Sequence, residues 1–252
     1  MNRNFFRKNF PAYVISLERT PERLARFRTW NEPANVHVDV FKGVDGSTLD
    51  IGALDPSIIV AGTTSYKRGT IGLALSHRAL WEKCVASGKP LVVLEDDVVL
   101  RRDIKSAVTP LTEGLPRDWE LFVLGYNNNA PVEVAMVDDM NIVLDFGVRE
   151  PDERQLMRFA QGTWPVGMAP LNCFFGVCAY MISPKGAQRL LKLCFPLDER
   201  EVQIPHLRFP LLSTSFDVRL NGCLRMVQAF ACIPQLAMPY NLPGQSERLR
   251  IA

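Results

Sequence analysis

Apolar and polar positions along the chain fall into short blocks whose period switches between that of a strand and that of a helix. Ala12 to Leu17 (AYVISL) is rich in β-formers and leads into Glu18-Arg19-Thr20-Pro21-Glu22. Thr20 suits an N-cap and Pro21 a first helical position, so a strand is predicted to feed a helix running to about Trp30. Val36 to Phe41 predicts a second short strand, ending in the turn-forming Gly43-Val44-Asp45-Gly46. Between Ile71 and Val85, Leu73, Leu80 and Cys84 line one helical stripe with Ala74, Trp81 and Val85 beside it, and Gly88 supplies a stop. Pro90 to Leu94, Trp119 to Leu124 and Cys178 to Ile182 read as buried strands. Ser183-Pro184 repeats the cap-then-proline signal and opens a helix through about Leu193. Residues 126–173 have little periodicity and hold Gly162, Pro165, Gly167 and Pro170, so an irregular excursion with one hairpin near Asn141 to Val148 is expected. No internal repeat is visible. Alternating strands and helices imply an α/β fold, a mostly parallel sheet with helices on both faces, whose ligands belong at the carboxyl ends of the strands.

Composition narrows the picture. A chain of 252 residues with 47% hydrophobic and 22% charged residues fits one domain over 1–252, with 1–125 and 126–252 as its two halves. A formal net charge of +2 sets nucleic-acid binding aside. The six cysteines, at 84, 173, 178, 194, 223 and 232, sit mostly in apolar runs without C-x-x-C spacing, and read as buried thiols of a reducing compartment. Metal binding at Cys173 and Cys178 is the rival reading. No apolar run reaches the ~20 residues of a membrane span, and no signal peptide follows the first ten residues, so a cytoplasmic protein is expected. The tip carries Arg3, Arg7 and Lys8 beside Phe5, Phe6 and Phe10; contact with anionic lipid on the inner membrane, or simple fraying, would account for it.

Chemistry concentrates in Leu91-Val92-Val93-Leu94-Glu95-Asp96-Asp97-Val98-Val99-Leu100. Three adjacent carboxylates at a buried strand end repel one another unless a cation or donors sit nearby. In an extended chain Glu95 and Asp97 point to one side and Asp96 to the other, so Glu95 and Asp97 are candidate ligands of one ion. Hard oxygen ligands suit Mn²⁺ or Mg²⁺, whose coordination a nucleotide diphosphate completes. A solvated acidic turn is the alternative.

Several segments, in order along most of the chain, resemble glycosyltransferase family 25, the lipopolysaccharide glycosyltransferases related to collagen galactosyltransferases. Tyr13-Val14-Ile15-Ser16-Leu17-Glu18-Arg19-Thr20-Pro21-Glu22-Arg23 is similar to its opening "V-I-N-L-D-R-S" followed by arginines, and Phe41-Lys42-Gly43-Val44-Asp45-Gly46 to "F-x-A-V-D-G". Gly69 to Trp81 (GTIGLALSHRALW) resembles the "G-E-I-G-C-A-L-S-H" helix, with Thr70 for the usual Glu and Leu73 for the usual Cys. Leu94 to Asp97 is similar to the acidic metal motif, Ala179 to Ala187 to "A-Y-I-I-S-x-x-G-A", and Phe216-Asp217 to a "V-D" segment; Pro234 to Glu247 matches loosely. The resemblance implies a GT-A type fold, inverting transfer and a UDP-sugar donor, often UDP-galactose, with a lipid-linked lipooligosaccharide as the acceptor of a bacterial enzyme. The chain's ending, Leu249-Arg250-Ile251-Ala252, is not an ER-retention tail, which separates it from secretory relatives.

On that reading Glu95 and Asp97 hold the metal, while Arg19, Asp45, Ser76, His77 and Asp96 hold the donor. Asp217 is the base that takes the acceptor proton, with Asp198, Glu199, Asp152 and Glu153 as rivals. Plainer roles stand beside these. His77 shares the stripe of Leu73 and Leu80 and could be a core histidine, and Arg19 could be solvated. Asp45 could bond turn amides, and Asp217 could cap a helix starting at Val218. A non-catalytic nucleotide-sugar-binding scaffold is the alternative function. A nucleotidyltransferase would bring a glycine-rich phosphate loop, and none is seen.

Overall fold

The computed structural model describes residues 10–137, 140–147, 150–204 and 206–241. The N-terminal tip up to Asn9 and the stretch 242–252, with Gln245, Ser246 and Glu247, lie outside the described residues. The first half runs β1 (Ala12–Ser16), α1 (Pro21–Asn31), β2 (Asp39–Lys42), α2 (Arg68–Ser87), β3 (Leu91–Glu95), β4 (Val98–Leu100), α3 (Ile104–Glu113) and β5 (Leu121–Gly125). The hairpin β6 (Val132–Val137) and β7 (Met140–Leu144), α4 (Glu153–Gln161), β8 (Gly167–Cys173), β9 (Ala179–Ile182) and α5 (Pro184–Cys194) follow. A ribbon of β10 (Glu201–Val202) and β11 (Leu211–Leu212), then α6 (Phe216–Leu224), β12 (Ala229–Ile233) and β13 (Ala237–Pro239), end the described chain.

One sheet orders the strands β2-β1-β3-β9-β5-β12-β8-β6-β7, with β13 joining β4 to β5. It is mixed. Strands β2, β1 and β3 run parallel, as do β5 and β12, whereas β9 enters antiparallel between β3 and β5. Strands β3, β5 and β9 are buried throughout because both faces are covered. On one face Val93, Val123 and Tyr180 pack against Ile71, Leu80 and Trp81 of α2, Leu190 of α5 and Phe216 of α6. On the other, Val92, Leu94 and Phe122 meet Phe27 of α1 and Val108 of α3. All six cysteines are buried and free.

The helix signals divide into those used and those not. Ser183 caps α5 by accepting from the Gly186 amide at 3.1 Å, and α2 stops at Gly88 with φ +64°. Thr20 precedes Pro21 as expected, but its hydroxyl turns back to the Leu17 carbonyl at 3.4 Å and makes no cap bond. Residues 126–173, expected to be irregular, contain β6, β7, α4 and β8. Helix α4 starts with a capping box, Asp152 accepting from the Gln155 amide and Gln155 from the Asp152 amide. The expected hairpin lies earlier than Asn141 to Val148, with Met140–Leu144 as its second strand, while Val148 lies outside the described residues. Strand β7 is exposed on both faces, so it carries no alternating pattern.

Candidate active site

The carboxyl ends of the parallel strands β1, β2, β3 and β5 open onto one corner. Ser16 and Arg19 follow β1, Asp45 follows β2, the acidic triplet ends β3, and Asn127 to Asn129 follow β5.

Close packing fixes the Asp45 turn against α2. A Cβ on Gly72 would sit 2.5 Å from the Val44 carbonyl oxygen, and one on Gly46 would sit 2.0 Å from the Arg68 oxygen, so only glycine fits at either. The Ser76 hydroxyl clamps the joint, accepting from the Val44 amide and donating to the Gly72 carbonyl, both at 2.8 Å. Asp45 then accepts from the Ser47 amide at 2.9 Å and from Arg19 Nε at 2.8 Å. Burial raises the Asp45 carboxyl, but the Ser47 bonds and the Arg19 charge outweigh it and hold the group below its ordinary value. The turn-bonding role foreseen for Asp45 is therefore observed, together with a partnership with Arg19.

Strand β3 ends at Glu95, and Asp96 and Asp97 form a turn before β4. Alternation holds for the first two: Glu95 faces α2 and Asp96 faces α1. The Asp96 carboxylate accepts from Ser16 Oγ at 2.8 Å and from Arg23 Nε at 2.7 Å. Arg23 Nη2 lies 2.6 Å from Asp96 Oδ1 and 2.9 Å from Asp97 Oδ2, so one guanidinium spans both carboxylates. Asp97, which a fully extended chain would set beside Glu95, thus shares Arg23 with Asp96. The Tyr240 amide donates to the Asp97 carbonyl at 2.8 Å, which ties the turn to the segment after β13.

His77 and Ser76 are 0% and 1% exposed, so they reach this corner through Glu95 and Val44 rather than from its surface. His77 Nε2 lies 3.6 Å from Glu95 Oε1, and Nδ1 lies 2.7 Å from the Tyr180 hydroxyl. Phe216 stacks on the His77 ring with centroids 5.4 Å apart. The next residue, Asp217, is 9% exposed in the first turn of α6. Ser215, not Asp217, caps this helix, and the helix starts at Phe216, two residues earlier than the capping alternative required. Burial, and then the charges of Glu95, Asp97 and Asp217, push the Cys178 thiol well above its ordinary value.

Three of the four rival acids are occupied elsewhere, and the fourth, Glu153, is exposed in the first turn of α4. Asp198 pairs with Arg200 and Arg219, Glu199 accepts from the Thr64 and Ser65 amides, and Asp152 caps α4. Sequence reasoning passed over Arg23, although it stands in the quoted arginine-bearing opening. It also passed over Glu150, which accepts from Asn129 Nδ2 at 2.6 Å and whose carboxyl is raised by burial and by the charge of Asp97. A residue far from any motif offers no signal for such a role.

This corner, at the strand ends of a mixed α/β sheet, matches a family by sequence as well. The model of glycosyltransferase family 25 (LPS biosynthesis protein) matches residues 9–200. The chain belongs to glycosyltransferase family 25. Among family-25 relatives, a Bos taurus protein named probable inactive glycosyltransferase 25 family member 3 is 28% identical over 265 aligned positions, covering 94% of this chain and 38% of that protein. The Homo sapiens inactive glycosyltransferase 25 family member 3 is 30% identical with the same coverage. An Aedes aegypti glycosyltransferase 25 family member is 27% identical over 197 positions, 71% of this chain and 27% of that protein. The chain thus spans well under half the length of these curated relatives.

Proposed function

We propose that this family-25 domain moves a hexose, as in UDP-galactose, from a nucleotide-sugar donor to a saccharide acceptor with inversion. The observation that supports the reading best is the acidic triplet Glu95-Asp96-Asp97 at the carboxyl end of β3, on the same sheet edge as the Arg19–Asp45 pair that follows β1 and β2. Family membership supports glycosyl transfer, and the family's description as an LPS biosynthesis protein supports a lipopolysaccharide-type acceptor; the acceptor proposed is a lipid-linked oligosaccharide presented at the inner membrane's cytoplasmic face.

The donor set fits a divalent ion of the Mn²⁺ or Mg²⁺ kind. Among the described residues no group of three or more His, Cys, Asp or Glu is placed to hold a metal. Glu95 and Asp97 would therefore supply a minority of its ligands, the rest coming from diphosphate and water, as is usual for these ions. When bound, such an ion neutralises charge developing on the leaving diphosphate. Arg19, held by Asp45, presents a guanidinium to the donor, and Asp96 anchors Ser16 and Arg23 behind the turn. Asp217 takes the proton of the acceptor hydroxyl while the hydroxyl oxygen bonds to the anomeric carbon. The anomeric bond to the diphosphate oxygen breaks, and its electron pair departs with UDP.

A second reading, a nucleotide-sugar-binding scaffold without turnover, is favoured by Arg23, which already supplies Asp96 and Asp97 with a cation. Nucleotide release from a panel of donors, with and without EDTA, separates the two. The transferase predicts Mn²⁺-dependent release that Asp97→Asn abolishes, and a fall of roughly 10²–10⁴-fold in Asp217→Asn with donor binding kept. Loss in Glu150→Gln but not in Asp217→Asn would move the base to Glu150. Binding of UDP with Mn²⁺ and no turnover with any donor or acceptor would establish the scaffold.

A further inference from the structure

A polar trio crosses the apolar layer beneath α2, and the mechanism above leaves most of it unused. Tyr180, 1% exposed on β9, holds its hydroxyl 2.8 Å from Trp81 Nε1 and 2.7 Å from His77 Nδ1. Trp81 and His77 are 1% and 0% exposed on α2, and the neighbours are Ile71, Leu80, Val93 and Ile182. Packing alone would be served as well by apolar rings, since buried polar groups are tolerated only when satisfied.

Counting hydrogens assigns the direction of the chain. The indole N–H can only donate, so the Tyr180 oxygen accepts from Trp81. The tyrosine hydrogen is then given to the other polar atom at that oxygen, His77 Nδ1. A hydrogen on Nδ1 as well would put three hydrogens on two contacts. Burial keeps the tyrosine proton in place by raising the hydroxyl well above its ordinary value. A bare Nδ1 puts the single proton of neutral imidazole on Nε2, the atom 3.6 Å from Glu95 Oε1. That separation is about half an ångström longer than an ordinary N–H···O bond. The ring cannot easily turn to shorten or lengthen it, because Phe216 stacks on it at 5.4 Å and the Tyr180 hydroxyl holds its Nδ1 edge at 2.7 Å.

We propose that Tyr180 is a positioning residue for Glu95. By donating to His77 Nδ1 it fixes the tautomer whose Nε2–H faces the Glu95 carboxylate, and Trp81 fixes the direction of that donation. The inference rests on the reading of Glu95 as a donor-site carboxylate. It assigns a task to two residues, Trp81 and Tyr180, that never approach the donor. Because Phe216 closes the stack and precedes Asp217, the same imidazole also braces the first turn of α6.

Tyr180→Phe keeps the ring and removes the hydroxyl, and Trp81→Phe removes the donor behind it; circular dichroism and melting curves report whether each variant is folded. In the whole wild-type chain, imidazole ¹⁵N NMR should show His77 protonated at Nε2 with Nδ1 bare. In either variant that preference should weaken. Calorimetric binding of UDP with Mn²⁺ should weaken by about 10–100-fold in Tyr180→Phe, the usual loss when the partner behind a metal-site residue is removed. A wild-type His77 carrying its proton on Nδ1, or a folded Tyr180→Phe with unchanged tautomer and unchanged UDP–Mn²⁺ binding, would overturn the proposal. A wild type that binds no UDP with Mn²⁺ would instead overturn the reading of the site and the positioning task with it. The NMR result would still decide the hydrogen-bond direction on its own.

Discussion

Replacing Arg23 by methionine keeps most of the side chain's volume and removes the guanidinium that spans Asp96 and Asp97. The side chains concerned are 14%, 6% and 11% exposed, so water cannot replace the lost cation freely. Removing one partner of a buried ion pair typically costs about 3–5 kcal/mol, because the other charge stays buried. Here Ser16 still donates to Asp96 at 2.8 Å, which puts the expected loss near the lower end, about 3 kcal/mol. For a domain of this size that is a fall in melting temperature of roughly 6–12 °C. Arg23→Lys should lose less, since a point charge holds one carboxylate but cannot span two. Urea unfolding followed by circular dichroism measures the effect with EDTA present and with Mn²⁺ plus UDP. A ligand at a hundredfold excess over its Kd adds about 2.7 kcal/mol. The gain should be larger in Arg23→Met than in the wild type, because the ion then replaces a missing charge. A loss below about 1 kcal/mol, the range of exposed pairs, would refute the placement of Arg23 between buried carboxylates.

Gly72→Ala would press a Cβ to within 2.5 Å of the Val44 carbonyl and 2.7 Å of the Gly46 amide; a loss of about 1–3 kcal/mol in urea, with weaker donor binding as Asp45 shifts, is expected. Among the thiols, Cys223 should be alkylated first. Its hydrogen bond with Cys194, and then the Arg219 and Arg200 charges, hold it below its ordinary value, whereas burial pushes Cys84 and Cys173 each up to about 12. Peptide mapping after brief iodoacetamide treatment would contradict this if Cys84 or Cys173 carried the first label. The Arg19–Asp45 pair should stabilise the fold at neutral pH and lose that contribution in acid. Because the folded carboxyl lies below its ordinary value of 3.8, its contribution is complete above that pH and is lost as the pH falls through the folded value. Asp45→Asn should therefore be less stable than the wild type at neutral pH, and the gap should close in acid unfolding.

The chain itself determined what depends on neighbouring residues. Buried runs such as Leu91 to Leu94 specify central strands, Ser183-Pro184 specifies a helix start, and Gly88 a helix end, each through local backbone preference and local hydrogen bonding. The acidic triplet at a strand's carboxyl end was legible for the same reason, as were the motif glycines that let the Asp45 turn lie on α2. Tertiary structure decided the partnerships. Arg23 meets Asp96 across 73 positions of sequence and His77 meets Tyr180 across 103, and no periodicity records which elements become neighbours. It also decided that β9 enters antiparallel between β3 and β5, that α6 is capped by Ser215 rather than by Asp217, and that residues 126–173 form strands and a helix. The physical reason is common to all of these. A residue's own pattern encodes whether it is buried, whereas the partner that satisfies a buried charge or strand edge is supplied by whatever the fold brings against it.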